Sequence, residues 1–165
     1  MTPTTRLQPA QSLDPKIKNR SRLAYNLGVF QARTVDPRAV VLMLDTDGNV
    51  AESNAANFAI VTRGKIRTPT TRNVLPGISR ATVLELASEL GIPAVEEDIQ
   101  LYDVLTADEA FFTSTPYCLM PCTKINTRRI GDGLPGPITA RLLEAWGRQV
   151  GVDLLRQAEA LATSA

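Results

Sequence analysis

Histidine is absent from the 165 residues of this chain, and the absence removes the commonest general base and the commonest metal ligand together. Ser-His-Asp and Cys-His mechanisms are therefore excluded. Any proton transfer falls to lysine, a carboxylate, tyrosine or cysteine, and a catalytic lysine becomes the first alternative to consider. Cysteine is scarce: Cys118 and Cys122 are too few for a disulfide framework and have no second pair to complete a zinc site. They read as buried thiols in a reducing cytoplasm. An excess of one charge is lacking too, because 18 basic and 17 acidic residues leave a formal +1, so no field is available to hold nucleic acid or an anionic membrane. No apolar run approaches a membrane span and no targeting h-region is present, so a cytoplasmic location is expected. What remains is ordinary globular composition, 44% hydrophobic and 21% charged, long enough for one domain with a core.

Punctuation and periodicity divide the chain. Residues 1–15 are rich in Pro, Thr and Gln and read as a linker. From Asn19 the pattern turns helical, with Leu23, Leu27 and Phe30 on one stripe, until Asp36-Pro37 closes it. The apolar run Ala39 to Leu44 reads as a buried strand, and Asp45-Thr46-Asp47-Gly48 as the turn of a hairpin whose return delivers Glu52. A second hairpin is expected for Phe58 to Val61 and Lys65 to Thr68. Leu75-Pro76-Gly77-Ile78-Ser79-Arg80 opens an amphipathic helix carrying Val83, Leu86, Ala87 and Leu90 and stopped by Gly91. Downstream, Pro93 to Glu97 reads as a strand, Leu101 to Leu105 as a short helix or turn, Glu109 to Ser114 as a strand and Pro121 to Ile130 as a hairpin. Ile138 to about Val150 is expected as a helix through Leu142, Leu143 and Trp146, and residues 153–165 as a frayed tail. Without a regular βαβ rhythm, this mixture predicts an α+β domain with a curved, largely antiparallel sheet and flanking helices.

Three positions stand out chemically, each with a plain structural reading beside the functional one. Glu52 ends a strand and is followed by small and amide residues; it is either a solvated loop acid or a carboxylate with something to touch. Lys18 sits at the entrance of the first helix, where its charge is wrong for the macrodipole; it is either a solvated lysine beside Lys16 and Arg20 or a functional amine. Ser79 follows Gly77 at a helix start, which offers either an N-cap or free N–H groups and a hydroxyl to an anion.

Taken together, these segments resemble the large domain of the class IV, or fold-type IV, pyridoxal-phosphate enzymes, which include branched-chain aminotransferases, D-amino acid aminotransferases and aminodeoxychorismate lyase. The resemblance rests on Glu52 followed by Asn57-Phe58, on Ile66-Arg67-Thr68 and on Leu75 to Arg80. Ala107-Asp108-Glu109, Thr113-Ser114-Thr115, Pro121 and Gly131-Asp132-Gly133 extend it, from about Asp14 to about Val152. It implies a D-amino acid aminotransferase-like large domain, with a pseudo-barrel sheet, spanning residues 16–152. It also implies pyridoxal 5'-phosphate as cofactor: Lys18 as the lysine bonded to it and as the proton shuttle, Glu52 against the pyridine nitrogen, and the Ile78 and Ser79 amides, the Ser79 hydroxyl and Thr115 on the phosphate. Asn57 would shape the loop beside Glu52.

Departures bear on the substrate. Leu23 stands where branched-chain enzymes carry a tyrosine, and Arg22-Leu23 with Ala55-Ala56-Asn57 lie closer to the lyase branch. The family's smaller N-terminal domain, of roughly a hundred residues, has no counterpart here and is expected to be missing. The activity expected is transfer of an amino group between an amino acid and a 2-oxo acid, with the branched-chain type as one candidate, incomplete in this chain alone. A lyase on the same scaffold and an inactive fragment are the alternatives. A homodimer is implied as well.

Overall fold

The structure is a computed structural model and describes residues 1–163. The helix α1 (Leu23–Val35) leads to β1 (Asn57–Thr62), β2 (Lys65–Thr68), α2 (Ile78–Glu89), β3 (Ala94–Glu96) and α3 (Leu101–Leu105). Then come β4 (Glu109–Ser114), β5 (Cys118–Pro121), β6 (Lys124–Ile125), β7 (Arg128–Arg129), α4 (Pro137–Val150) and α5 (Leu154–Thr163). A five-stranded sheet runs in the order β3-β2-β1-β4-β5; only β2 and β3 are parallel, and β6 with β7 forms a separate ribbon.

The two central strands explain the layering. Along β1, Phe58 and Ile60 point to one side and Ala59 and Val61 to the other, and β4 repeats the alternation with Phe112 and Phe111. Both faces are therefore buried. One core packs Val83, Leu86, Leu142 and Trp146 of α2 and α4 against the sheet; the other gathers Leu42, Ile99, Val104 and Ile125 behind it. The β1–β2 turn and the β6–β7 turn place Arg63 and Asn126 at positive φ, as tight reversals demand.

The opening hairpin forms as expected in hydrogen bonding. Met43 N donates to Glu52 O at 3.0 Å, Ala51 N to Met43 O at 2.9 Å and Asp45 N to Asn49 O at 2.9 Å. Gly48 closes its turn at φ 87°, and the buried Asp45 carboxylate fixes the turn by accepting the Asp47 and Asn49 amides.

Several expectations need correction. The 1–15 segment, read as a linker, runs beside residues 40–44: Leu42 N donates to Met1 O at 2.8 Å and Leu7 N to Leu44 O at 3.0 Å, with Leu7 buried. Pairing through the backbone needs no apolar periodicity, which is why composition did not register it. Helix α1 starts at Leu23 rather than Asn19, so Lys18 lies in the irregular segment before it, within a tight turn closed by Asn19 N donating to Ile17 O at 2.7 Å. Its apolar stripe faces solvent, Leu23 and Phe30 each being 68% exposed, while Gly28 and Ala32 form the buried side. Gly28 lets the helix lie close there, since an added Cβ would stand 2.5 Å from the Met43 sulfur and force that side chain to shift. Periodicity identifies an apolar face but not what covers it. Residues 118–120, unassigned by pattern, fall with Pro121 in β5, and Cys118 and Cys122 are half-buried rather than buried. The tail read as frayed carries α5, brought against α4 where Gly147 leaves no room for a Cβ beside Val152 O at 2.6 Å. Residues 164 and 165 of that tail lie outside the described residues. No helix among the described residues is long and apolar enough to cross a membrane.

Candidate functional site

Glu52 is the centre of the site because its carboxylate is buried yet hydrogen-bonded at both oxygens. The hairpin ladder at Met43 fixes its backbone, and three donors from three separate places meet its side chain. Tyr25 on α1 donates its hydroxyl to Oε1 at 2.6 Å; Asn57 Nδ2, at the start of β1, and the Leu75 amide donate to Oε2 at 3.0 and 3.1 Å. Asn57 also donates to Leu75 O at 2.9 Å, locking the loop that precedes α2 to the carboxylate. Its Oδ1 presses on the next turn, where a Cβ at position 77 would collide with it, so Gly77 is the residue that fits.

Burial pushes the Glu52 carboxyl up to about 7, opposed by the Tyr25 hydroxyl, the Leu75 amide and the positive charges of Arg22 and Lys18. Tyr25 is itself driven strongly upward, first by burial and then by the charge it faces. The Arg22 guanidinium lies 4.5 Å from the centre of the Tyr25 ring and donates to the Asn54 carbonyl.

Beside Glu52 opens a cleft of about 420 Å³, within the size range of small-molecule sites. Lys18, Glu52, Ile78, Ser79 and Thr115, the five residues singled out by sequence, all line it. Lys18 enters from the segment before α1 with an exposed side chain; Thr115 stands just past the end of β4, exposed. Helix α2 points its N-terminus into the cleft. Gly77 caps it without a side chain, and among the described residues the Ile78 and Ser79 amides and the Ser79 hydroxyl meet no acceptor or donor of the chain. The Ile78 side chain, 85% exposed, takes no part in packing, so this position contributes its backbone. Ser114 donates to Ala55 O at 2.7 Å and ties the β4 end to the Glu52 loop.

Tyr25 was not singled out by sequence, and Arg22 entered only as a departure toward the lyase branch, not as a site residue. The pattern that marked α1 ranked its residues by apolar spacing, and on that stripe Tyr25 is off register. The available signal was a tyrosine in the first turn of the helix that follows the lysine segment, in a chain with three tyrosines and no histidine. No cluster of three or more metal-ligating side chains exists among the described residues.

Comparison with known proteins agrees with this architecture. The amino-transferase class IV family matches residues 1–125. A branched-chain-amino-acid aminotransferase-like protein of Arabidopsis thaliana is 39% identical over 146 residues, covering 88% of this chain and 26% of that protein. A branched-chain-amino-acid aminotransferase of Pseudomonas aeruginosa is 43% identical over 105 residues, covering 64% of this chain and 34% of its own length. D-alanine aminotransferases are also among the relatives. The crystal structure of the T.th. branched-chain amino acid aminotransferase with pyridoxamine 5'-phosphate superposes with a TM-score of 0.83 at 29% identity, over 88% of this chain and 48% of that one. The chain thus spans about a quarter to a half of the length of these relatives. It belongs to the class IV aminotransferase family.

Proposed function

We propose that this chain is the cofactor-binding part, residues 16–152, of a pyridoxal 5'-phosphate-dependent aminotransferase that passes an amino group from an amino acid to a 2-oxo acid, with branched-chain amino acids as the narrower substrate class. Its fold is read as the D-amino acid aminotransferase-like large domain with a pseudo-barrel sheet. The observation that carries the proposal is the meeting of a lysine, a buried carboxylate and an uncapped helix N-terminus in one cleft. The residues fit the cofactor: the open α2 amides and the Ser79 hydroxyl suit a phosphate, and Asn19 Oδ1, in the cleft wall, is buried without a donor.

Each residue then has a defined part. Ile78, Ser79 and Thr115 would hold the phosphate; the Glu52 carboxylate would accept a hydrogen bond from the protonated ring nitrogen and keep it positive. Lys18 is the covalent attachment point and the base that moves a proton at the substrate α-carbon. When bound, the cofactor supplies a conjugated ring that takes up the electron pair left by that proton. The solvent-facing stripe of Leu23, Leu27 and Phe30 supports a homodimer, which light scattering of the purified chain checks.

The experiment adds pyridoxal phosphate to the purified chain. A visible absorption band is expected, and Lys18→Ala should remove it; a band that never forms, or that survives the substitution, sinks the assignment. Ping-pong kinetics with a 2-oxo acid acceptor would identify the aminotransferase chemistry, whereas pyruvate release without an acceptor would identify the lyase chemistry.

A further inference from the structure

The hydrogen bonds on Glu52 are unevenly divided. Oε2 receives two N–H donors, from Asn57 and Leu75, and its two lone pairs are thereby used. Oε1 receives only the Tyr25 hydroxyl, at 2.6 Å, so one lone-pair direction on Oε1 stays open to a further donor. Tyr25 is not free to turn away. Its ring is half-buried and covered by Arg22, whose guanidinium is in turn held by the Asn54 carbonyl on the loop just after Glu52. The charged groups facing the carboxyl are Arg22, from the N-cap of α1, and Lys18, from the segment before it; β1 and the Leu75 loop contribute only neutral N–H donors.

Resting on the cofactor reading above, we propose that Tyr25, clamped by Arg22, is a positioning residue that favours the ionised form of Glu52 and turns the open lone pair of Oε1 toward the cofactor's ring nitrogen. The physical requirement is direct. A carboxyl this deeply buried favours its neutral form, and a neutral carboxylic acid can no longer hold a proton on a pyridine nitrogen opposite it. A hydroxyl donated to the charged form and a stacked guanidinium nearby both shift the balance back to the carboxylate. Tyr25 thus does for this glutamate what no residue of the hairpin bearing it can do.

The test compares Tyr25→Phe and Arg22→Gln with the wild-type chain. Tyr25→Phe keeps the ring and its packing and deletes only the donor, and Arg22→Gln uncovers the ring but leaves the hydroxyl in place. In the unloaded chain, the Glu52 carboxyl is titrated by carbon-detected NMR, its signal assigned with Glu52→Gln. Tyr25→Phe should raise the proton affinity of Glu52 by about tenfold, a one-unit rise in midpoint, and Arg22→Gln should raise it less, in the same direction. With pyridoxal phosphate bound, the pH dependence of the visible absorption should move with the NMR midpoint. A Tyr25→Phe chain that folds and titrates as wild type overturns the proposal, because a merely structural tyrosine would leave the midpoint where it is. A wild-type chain that never gains the visible absorption overturns the cofactor reading, and with it the target of Oε1, whatever the NMR titration gives.

Discussion

Leu75-Pro76-Gly77-Ile78-Ser79 and Leu134-Pro135-Gly136-Pro137-Ile138-Thr139 are nearly the same stretch of sequence, and each opens an α-helix behind a glycine N-cap in extended backbone. Neither helix has a capping side chain of its own, so each starts with orphan N–H groups that need an acceptor from elsewhere. Helix α4 finds one inside the protein. The buried Glu109 carboxylate, from β4, accepts the Ile138 amide at 2.8 Å and both the Thr139 amide and hydroxyl at 2.8 and 2.7 Å. Helix α2 finds none among the described residues, and its amides and the Ser79 hydroxyl face the cleft. The same local sequence therefore serves structure at one end of the sheet and suits ligand binding at the other, according to whether a carboxylate of the chain reaches the helix start. The difference also separates the two buried glutamates: Glu109 neutralises a helix end, while Glu52 sits among neutral donors and is left available to a partner.

The comparison is most severely tested at the plugged end. Glu109→Ala leaves three donors, two of them buried, without an acceptor and should cost about 3–5 kcal/mol of stability in urea unfolding; a loss below about 1 kcal/mol would mean that water replaces the plug and that the two helix starts are equivalent. Next comes the pH dependence of the open end. Because burial raises Glu52 above its unfolded value of 4.5 to about 7, the folded chain binds more protons than the unfolded one between those limits. Stability from this group is then full below about 4.5 and falls by on the order of 3 kcal/mol as pH rises toward 7. Glu52→Gln should flatten that slope in urea titrations taken from pH 4.5 to 7, and an unchanged slope would exclude Glu52 as its source.

The two glycines sharpen the contrast. An alanine Cβ would collide with Asn57 Oδ1 at position 77 and with the Glu109 carboxyl carbon at position 136. Both substitutions should cost about 1–3 kcal/mol of stability, but only Gly77→Ala should also weaken pyridoxal phosphate binding, since it displaces Asn57 from Glu52. Equal effects on binding would erase the distinction between the two starts. The smallest effect is expected for the paired hydroxyls. Ser79→Ala should lower pyridoxal phosphate affinity by about fivefold, near 1 kcal/mol, with stability changed by less than about 0.5 kcal/mol. Thr139→Ala should do the reverse, which fluorescence titration and urea unfolding of the two variants would establish.

Sequence by itself determined helices α1, α2 and α4 in outline, the sheet strands β1, β2 and β4, the Pro-Gly helix start at Ile78 and the presence of Lys18, Glu52, Ser79 and Thr115 in one pattern. These are properties of local hydrogen bonding and of side-chain alternation, which a few adjacent residues specify. Tertiary structure decided which Pro-Gly start stays open, that the α1 stripe of Leu23, Leu27 and Phe30 faces outward, that residues 1–7 pair with 40–44, and that Tyr25 and Asn57 share the Glu52 carboxylate. The reason is distance along the chain. Glu109 reaches Thr139 across 30 positions and Tyr25 reaches Glu52 across 27. Whether an orphan donor or a buried carboxylate is satisfied depends on groups brought together only by packing, and no periodicity in the intervening residues records it.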